Sequence, residues 1–202
     1  MHLPSPIVAL FLAGGRGTRY AQEKPSANKL LEALPDGSIV IERALAAYLG
    51  VVDEIIAVVP HSESAVLPVL RRHAVRTVIA PDAHLGMGHS LAAGAREALY
   101  RFPHLAGVVV GLADMPWLRA ETVASVVSAL RTQKQCDAVR VRYAGKLGHP
   151  VGFFAPQVSR LTTLTGDAGA RELLASGVLN VHYVDVPDEG CLLDVDRPND
   201  IG

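Results

Sequence analysis

Residues 7–19 read Ile-Val-Ala-Leu-Phe-Leu-Ala-Gly-Gly-Arg-Gly-Thr-Arg (IVALFLAGGRGTR), seven apolar residues running straight into a glycine-rich turn that carries two arginines. An apolar run without polar alternation is the signature of a strand covered on both faces. Open α/β sheets bind their ligands just outside the carboxyl ends of such strands, so this stretch predicts both a sheet type and the place of a site. Residues 55–59 (IIAVV), 75–80 (VRTVIA) and 106–113 (AGVVVGLA) are further strand-like runs. Helical patterns fill the spaces between, over 38–49, 62–73 (with Ser62 as a possible cap), 90–101 and 120–130. Strand-helix alternation implies a parallel sheet wound right-handedly, with helices on both faces in three layers.

Beyond residue 135 the rhythm changes. Residues 137–143 (DAVRVRY) alternate apolar and basic, as expected of a half-exposed strand that is antiparallel or at an edge. Residues 145–148 read as a turn, 150–154 as a second strand, 169–175 as a helix and 181–186 as a last strand. No repeat, low-complexity tract or linker interrupts residues 1–202, so one α/β domain with a mostly parallel mixed sheet is expected.

Composition narrows the function classes. Half of the 202 residues are hydrophobic, enough for a sizeable core, which excludes a disordered chain. The formal net charge is −1 and aromatics are 5%, which argues against a nucleic-acid partner that would need a basic field or a stacking platform. Cys136 and Cys191 make neither a disulfide framework nor a four-cysteine zinc site, and they suit a reducing compartment. The first apolar run is short and lacks a basic n-region, and no run reaches the 18 or so apolar residues of a span. These observations predict a cytoplasmic protein with no membrane partner.

The neutrality is a sum of separated parts. From residue 16 to 29 stand Arg16, Arg19, Lys24 and Lys29 against the single acid Glu23. Glycines at 14, 15 and 17 let backbone N–H groups approach phosphate oxygens, and arginines add charge-assisted hydrogen bonds. The loop fits neither the dinucleotide fingerprint G-x-G-x-x-G nor the P-loop, since no G-K-[ST] follows. A Gly-rich turn with solvent arginines is the plain alternative. Lys29 can reach back to a phosphate, whereas Lys24 reads as a surface lysine. Asp114 ends the fourth run in Gly-Leu-Ala-Asp-Met-Pro, where Pro116 stops the strand and leaves the carboxylate in the same crevice. A carboxylate beside a polyphosphate site suits Mg²⁺, a hard ion that takes oxygen ligands. At the other end lie Asp185, Asp188, Glu189, Asp194, Asp196 and Asp200 against Arg197. Asp194 and Asp196 alternate, so on a strand they would share a side and could complete a metal site. Asp185, Asp188 and Glu189 read as solvated acids, and Arg140 and Arg142 as solvent charges.

LAGGRGTR, NKLL, GMGHSLAAG, GLADMP, GHPVGF, GDAGAR and DVDRPND stand in the order and spacing of the MobA-like nucleotidyltransferases, and the set most resembles molybdenum cofactor cytidylyltransferases of the MocA type. The resemblance runs from Val8 to Asp200. It implies a Rossmann-like nucleotide-diphosphosugar-transferase fold and transfer of a nucleoside monophosphate from CTP or GTP to the terminal phosphate of molybdopterin, with release of pyrophosphate. By the same resemblance Leu12, Ala13, Gly14, Gly15, Arg16 and Gly17 form the nucleotide loop, and Ser90 belongs to a segment facing base and ribose. Lys29, Arg19 and Asp114 are the catalytic set. Asp114, Asp196 and Asp194 are the ligands of Mg²⁺ or Mn²⁺. His149, Asp167 and Arg171 are the acceptor side, and a molybdenum hydroxylase or its chaperone is a conceivable protein partner. The two base-reading motifs disagree: LAGG is common in the guanylyl-transferring branch, while GMGHSLAAG looks cytidylyl. Arg197 stands where the family often has Thr. A sugar-phosphate nucleotidyltransferase and a non-enzymatic cofactor chaperone are the competing readings, since fold alone does not separate them.

Overall fold

The computed structural model describes residues 5–15, 17–133, 135–167 and 169–201. In chain order its elements are β1 (Ile7–Leu12), α1 (Thr18–Glu23), α2 (Val40–Ala46), β2 (Glu54–Val59), α3 (Leu67–Arg72), β3 (Arg76–Ile79), α4 (Met87–Arg101), β4 (Gly107–Leu112), α5 (Ala120–Thr132), β5 (Ala138–Tyr143), β6 (Lys146–Phe154), α6 (Ala155–Leu161), α7 (Arg171–Ala175) and β7 (Val181–Asp185). Short 3₁₀ turns occupy Lys29–Leu31, Pro81–Leu85, Glu189–Leu192 and Pro198–Ile201. Among these elements no helix is long and apolar enough to cross a membrane.

The strands form one seven-stranded sheet in the order β3-β2-β1-β4-β6-β5-β7. β1 pairs in parallel with both β2 and β4, and β2 with β3. β6 runs antiparallel between β4 and β5, and β7 pairs in parallel with β5. The expected mostly parallel mixed sheet, with helices on both faces, is the one observed. β1 shows why its sequence is apolar throughout. Ile7, Ala9 and Phe11 enter one core with α2, α3 and α5, while Val8, Leu10 and Leu12 enter the opposite core with α4 and α6. Period-two alternation thus supplies two cores from one strand.

Several local expectations need correction. β5 is antiparallel to β6, one of the two arrangements expected of it, but it is not at the edge: β7 lies outside it, and Ala138, Val139 and Val141 are fully buried. The hairpin after it turns on Ala144 and Gly145 alone, both at positive φ (46° and 80°), with Tyr143 facing Lys146 across the ladder. That is the two-residue turn whose twist suits a hairpin, so residues 146–148 extend β6. The helix expected from Ser62 begins at Leu67, with Pro68 in its first turn and no side-chain cap. Two helices lie outside the helical patterns of the sequence: α6, whose start is marked by Pro156 in its first turn, and α1, a six-residue helix that takes up the length between the Gly loop and Lys29.

Candidate functional site

The carboxyl ends of β1 and β4 lie side by side in the sheet, so the segments that follow them share one crevice. A cavity of about 520 Å³ opens there. Its walls include Leu12, Gly14, Gly15, Gly17 and Arg19 from the first motif, together with Lys29, Ser90, Asp114, Asp167 and Asp196. Residues separated by as many as 184 positions in the chain, from Leu12 to Asp196, therefore meet in one wall. Thr18, Leu30, Ala83, Gly86, Met87 and Leu112 also line it, and no motif chemistry in the sequence points to them. Gly17 adopts a left-handed conformation (φ 55°) and lets the loop turn directly into α1. A Cβ on Gly14 would lie 3.2 Å from the buried Ser90 Oγ, so loop and α4 approach closely at this point. Ala13 is buried and its N–H donates to Val58 O at 2.9 Å; it supports the loop without lining the cavity. Arg16 lies outside the described residues, as does Ala168 of the GDAGAR loop.

Lys29 stands on a 3₁₀ turn capped by Asn28, whose side chain accepts from Leu30 N at 3.1 Å. The lysine is only 9% exposed. Its Nζ donates to Asp114 Oδ2 at 2.6 Å and to Val195 O at 2.8 Å. A buried ammonium is tolerated only with such partners. The backbone N–H of Val195 in turn donates to Asp114 O at 2.8 Å, so the C-terminal segment is tied to the end of β4. Lys24 pairs instead with Glu32 on the surface and takes no part in the cavity.

The chain end departs from the strand geometry assumed for it: residues 193–196 carry no regular structure. Asp196 reaches the cavity and forms an ion pair with Arg19, which raises the guanidinium's pKa. Asp194 does not line the cavity. Its carboxyl is nevertheless held above the usual carboxylate range, first by burial and then by the neighbouring charges of Asp114 and Asp196, with Lys29 acting in opposition. Asp188 is a further correction. It is not a solvated acid but 2% exposed, accepting from Arg119 N (3.0 Å), Thr122 Oγ1 (2.6 Å) and Gly190 N (3.0 Å), and so fixes the start of α5. Asp185 pairs with Arg142 in a bidentate bridge at 2.7 Å.

A partly buried carboxyl, Asp194, whose proton affinity is raised by burial and by the charges of Asp114 and Asp196, marks a suitable neighbourhood for a hard cation. Among the described residues no three His, Cys, Asp or Glu side chains gather into a metal-holding group. Mg²⁺ does not require one: it is held by one or two carboxylates, with substrate phosphates and water completing the shell. The donor set around Asp114, all oxygen, fits that chemistry.

His149 and Arg171 do not line this cavity. They line a neighbouring one of about 110 Å³, with Asp167 and Met87 shared between the two. Arg140, read from the sequence as a solvent charge, lines it too. Burial, then the cations Arg140 and Arg171, push the His149 pKa down to about 4, opposed by Asp114. His149 is therefore neutral in the folded protein at pH 5–7, while in the unfolded chain it would bind a proton below about 6.5. Between these values the unfolded state holds more protons, so stability falls as pH drops from about 6.5 to about 4. Urea titrations across this window are expected to show His149→Gln with a shallower loss than the parent, by ~2 kcal/mol at the acid end. Equal slopes would contradict the assignment.

A family model described as the MobA-like NTP transferase domain matches residues 9–182. The purine catabolism protein PucB of Bacillus subtilis is 28% identical over 205 residues, covering 96% of this chain and 93% of that protein. Nicotine blue oxidoreductase of Paenarthrobacter nicotinovorans is 28% identical over 200 residues, covering 94% and 92%. Among solved structures, the manganese complex of Rv0371c from Mycobacterium tuberculosis superposes with a TM-score of 0.73 at 25% identity, covering 98% of this chain and 96% of that one.

Proposed function

The chain belongs to the MobA-like NTP transferase domain family and is a nucleotidyltransferase, and from that premise we propose that it transfers the CMP unit of CTP to the terminal phosphate of a molybdopterin-type acceptor, releasing pyrophosphate. The observation that carries this reading is the Lys29–Asp114 pair set in the wall of a cavity roofed by the Gly loop. An acceptor phosphate oxygen attacks the α-phosphorus, the bond from that phosphorus to the bridging oxygen breaks, and the electron pair leaves with pyrophosphate. The acceptor is already an anionic nucleophile near neutral pH, so the protein need not remove a proton. Catalysis then consists of positioning and charge neutralisation.

The backbone at Gly14, Gly15 and Gly17 cradles the triphosphate, with Arg19 and Arg16 as charged donors. Lys29, already desolvated, neutralises the α-phosphate. Asp114 orients Lys29 and, with Asp196 or Asp194, would hold the divalent cation. That cation, Mg²⁺ with Mn²⁺ as a substitute, would supply charge neutralisation to the departing pyrophosphate. The manganese in the Rv0371c complex supports a divalent ion at this fold. Ser90 packs beneath the loop at the side expected for base and ribose, and His149, Asp167 and Arg171 form the acceptor side. CTP is preferred over GTP on the GMGHSLAAG segment that opens α4, whereas LAGG at residues 12–15 favours GTP as the second reading. Coupled pyrophosphate release decides among them. Turnover with CTP and molybdopterin is expected; turnover with GTP alone moves the base assignment, and turnover only with a sugar phosphate replaces the acceptor.

A further inference from the structure

Arg140 is a half-buried cation without a counterion among the described residues. Its neighbour on the strand, Arg142, is bidentate to Asp185. Arg140 has only a 3.5 Å contact from Nε to Gly148 O, and it forms no ion pair with any described carboxylate. Besides Arg171, His149 and Asp167, its cavity is walled by apolar groups including Leu91, Val110 and Phe153. Burial, together with the charge of Arg171, disfavours its ionised form, with Tyr183 acting in opposition. The Nδ1 atom of His149, in the same cavity, is buried with no hydrogen-bond partner. Asp167, the one acid on the wall, stands at the border with the nucleotide cavity and is exposed.

A guanidinium keeps its charge in a protein, and placing it against apolar walls costs free energy unless an anion meets it. Two guanidiniums and an unpartnered imidazole nitrogen in about 110 Å³ leave room for one small oxyanion and not for a nucleotide. The planar fork of arginine matches a phosphate in a bidentate manner. We propose that Arg140, with Arg171 beside it, seats the acceptor's phosphate monoester in this second cavity and thereby selects phosphorylated acceptors. This rests on the reading of the chain as a transferase to an anionic acceptor. The seat adjoins the nucleotide cavity through Met87 and Asp167, so the seated group lies next to the triphosphate.

The test uses the full chain and inorganic phosphate alone, with the His149 ring resonances as a local reporter in NMR, assigned with His149→Gln. A saturable shift is expected in the parent protein. Arg140→Gln is expected to raise the phosphate Kd at least tenfold, an effect of the size expected for a charged hydrogen bond. Arg171→Gln, at an exposed position that folding tolerates, is expected to raise it about threefold. Acetate is expected to bind at least tenfold more weakly than phosphate. Absence of a saturable shift in the parent, or phosphate affinity unchanged in both variants, would overturn the seat. Equal acetate affinity would overturn its selectivity for phosphate. In turnover, Arg140→Gln is expected to raise KM for the acceptor while KM for CTP stays within about twofold. Phosphate titration needs no turnover, so failure of the transferase reading (no pyrophosphate released with any acceptor) is separable from failure of the seat.

Discussion

Asp114→Asn lowers the rate of pyrophosphate release by a factor on the order of 10²–10³ at saturating nucleotide. Two losses combine. The carboxylate that would hold the cation is gone, and Lys29 loses the charged partner that aims its ammonium. Asparagine keeps the shape of the side chain, so the loop and the β4 end should stay in place. The folded protein is destabilised as well, because Lys29 loses its counter-charge and keeps only neutral oxygens, those of the asparagine amide and of Val195, as acceptors. A fully buried pair broken in this way costs about 3–5 kcal/mol. Here the Asp114 side chain is 22% exposed, and ~2 kcal/mol is the better expectation. That corresponds to a fall in Tm of roughly 4–8 °C for a chain of this size. An unchanged rate of pyrophosphate release would remove Asp114 from the site.

Lys29→Met removes the charge that faces the α-phosphate while keeping the volume of the stem. Its expected loss in kcat is again on the order of 10²–10³. The informative experiment is the double variant Lys29→Met/Asp114→Asn. Stability and activity should respond in opposite ways. With both charges gone no uncompensated ion remains, so the double variant should be more stable than the two single losses would sum to, by about 1–2 kcal/mol. Activity should not recover at all. If stability and activity recovered together, the pair would be structural and the phosphate would have another partner.

The fold was largely legible because its signals are strong in kind. Four apolar runs, each followed by a helical pattern, admit few arrangements other than a parallel sheet. The cavity was legible for the same reason, since residues at strand ends are placed by the sheet itself: Gly14, Gly17 and Asp114 could be located before any helix was known. Three kinds of residue escaped. Arg140 lies in an alternating strand, and alternation says which residues share a face but not whether that face is covered; β6, β7 and the 166–171 loop decide that. Asp188 looks like a member of an acidic tail, and only the fold brings Thr122 and Arg119 N–H to it from 66 and 69 residues away. Asp194 and Asp196 were read with a period of two that applies to strands, whereas their segment is held by the Lys29 ammonium and the Asp114 carbonyl. In each case the deciding partner is distant in sequence, and no local pattern carries it.

The fate of a label separates transfer of the nucleoside monophosphate from every other phosphoryl transfer. The protein is incubated with Mg²⁺, molybdopterin and CTP labelled with ³²P at either the α- or the γ-phosphate. The α-label is expected to appear in the acceptor product and the γ-label in pyrophosphate, with both signals lost in Asp114→Asn. The γ-label on the acceptor, or its release as orthophosphate, would mean that the cavity beneath the Gly loop catalyses a different phosphoryl chemistry.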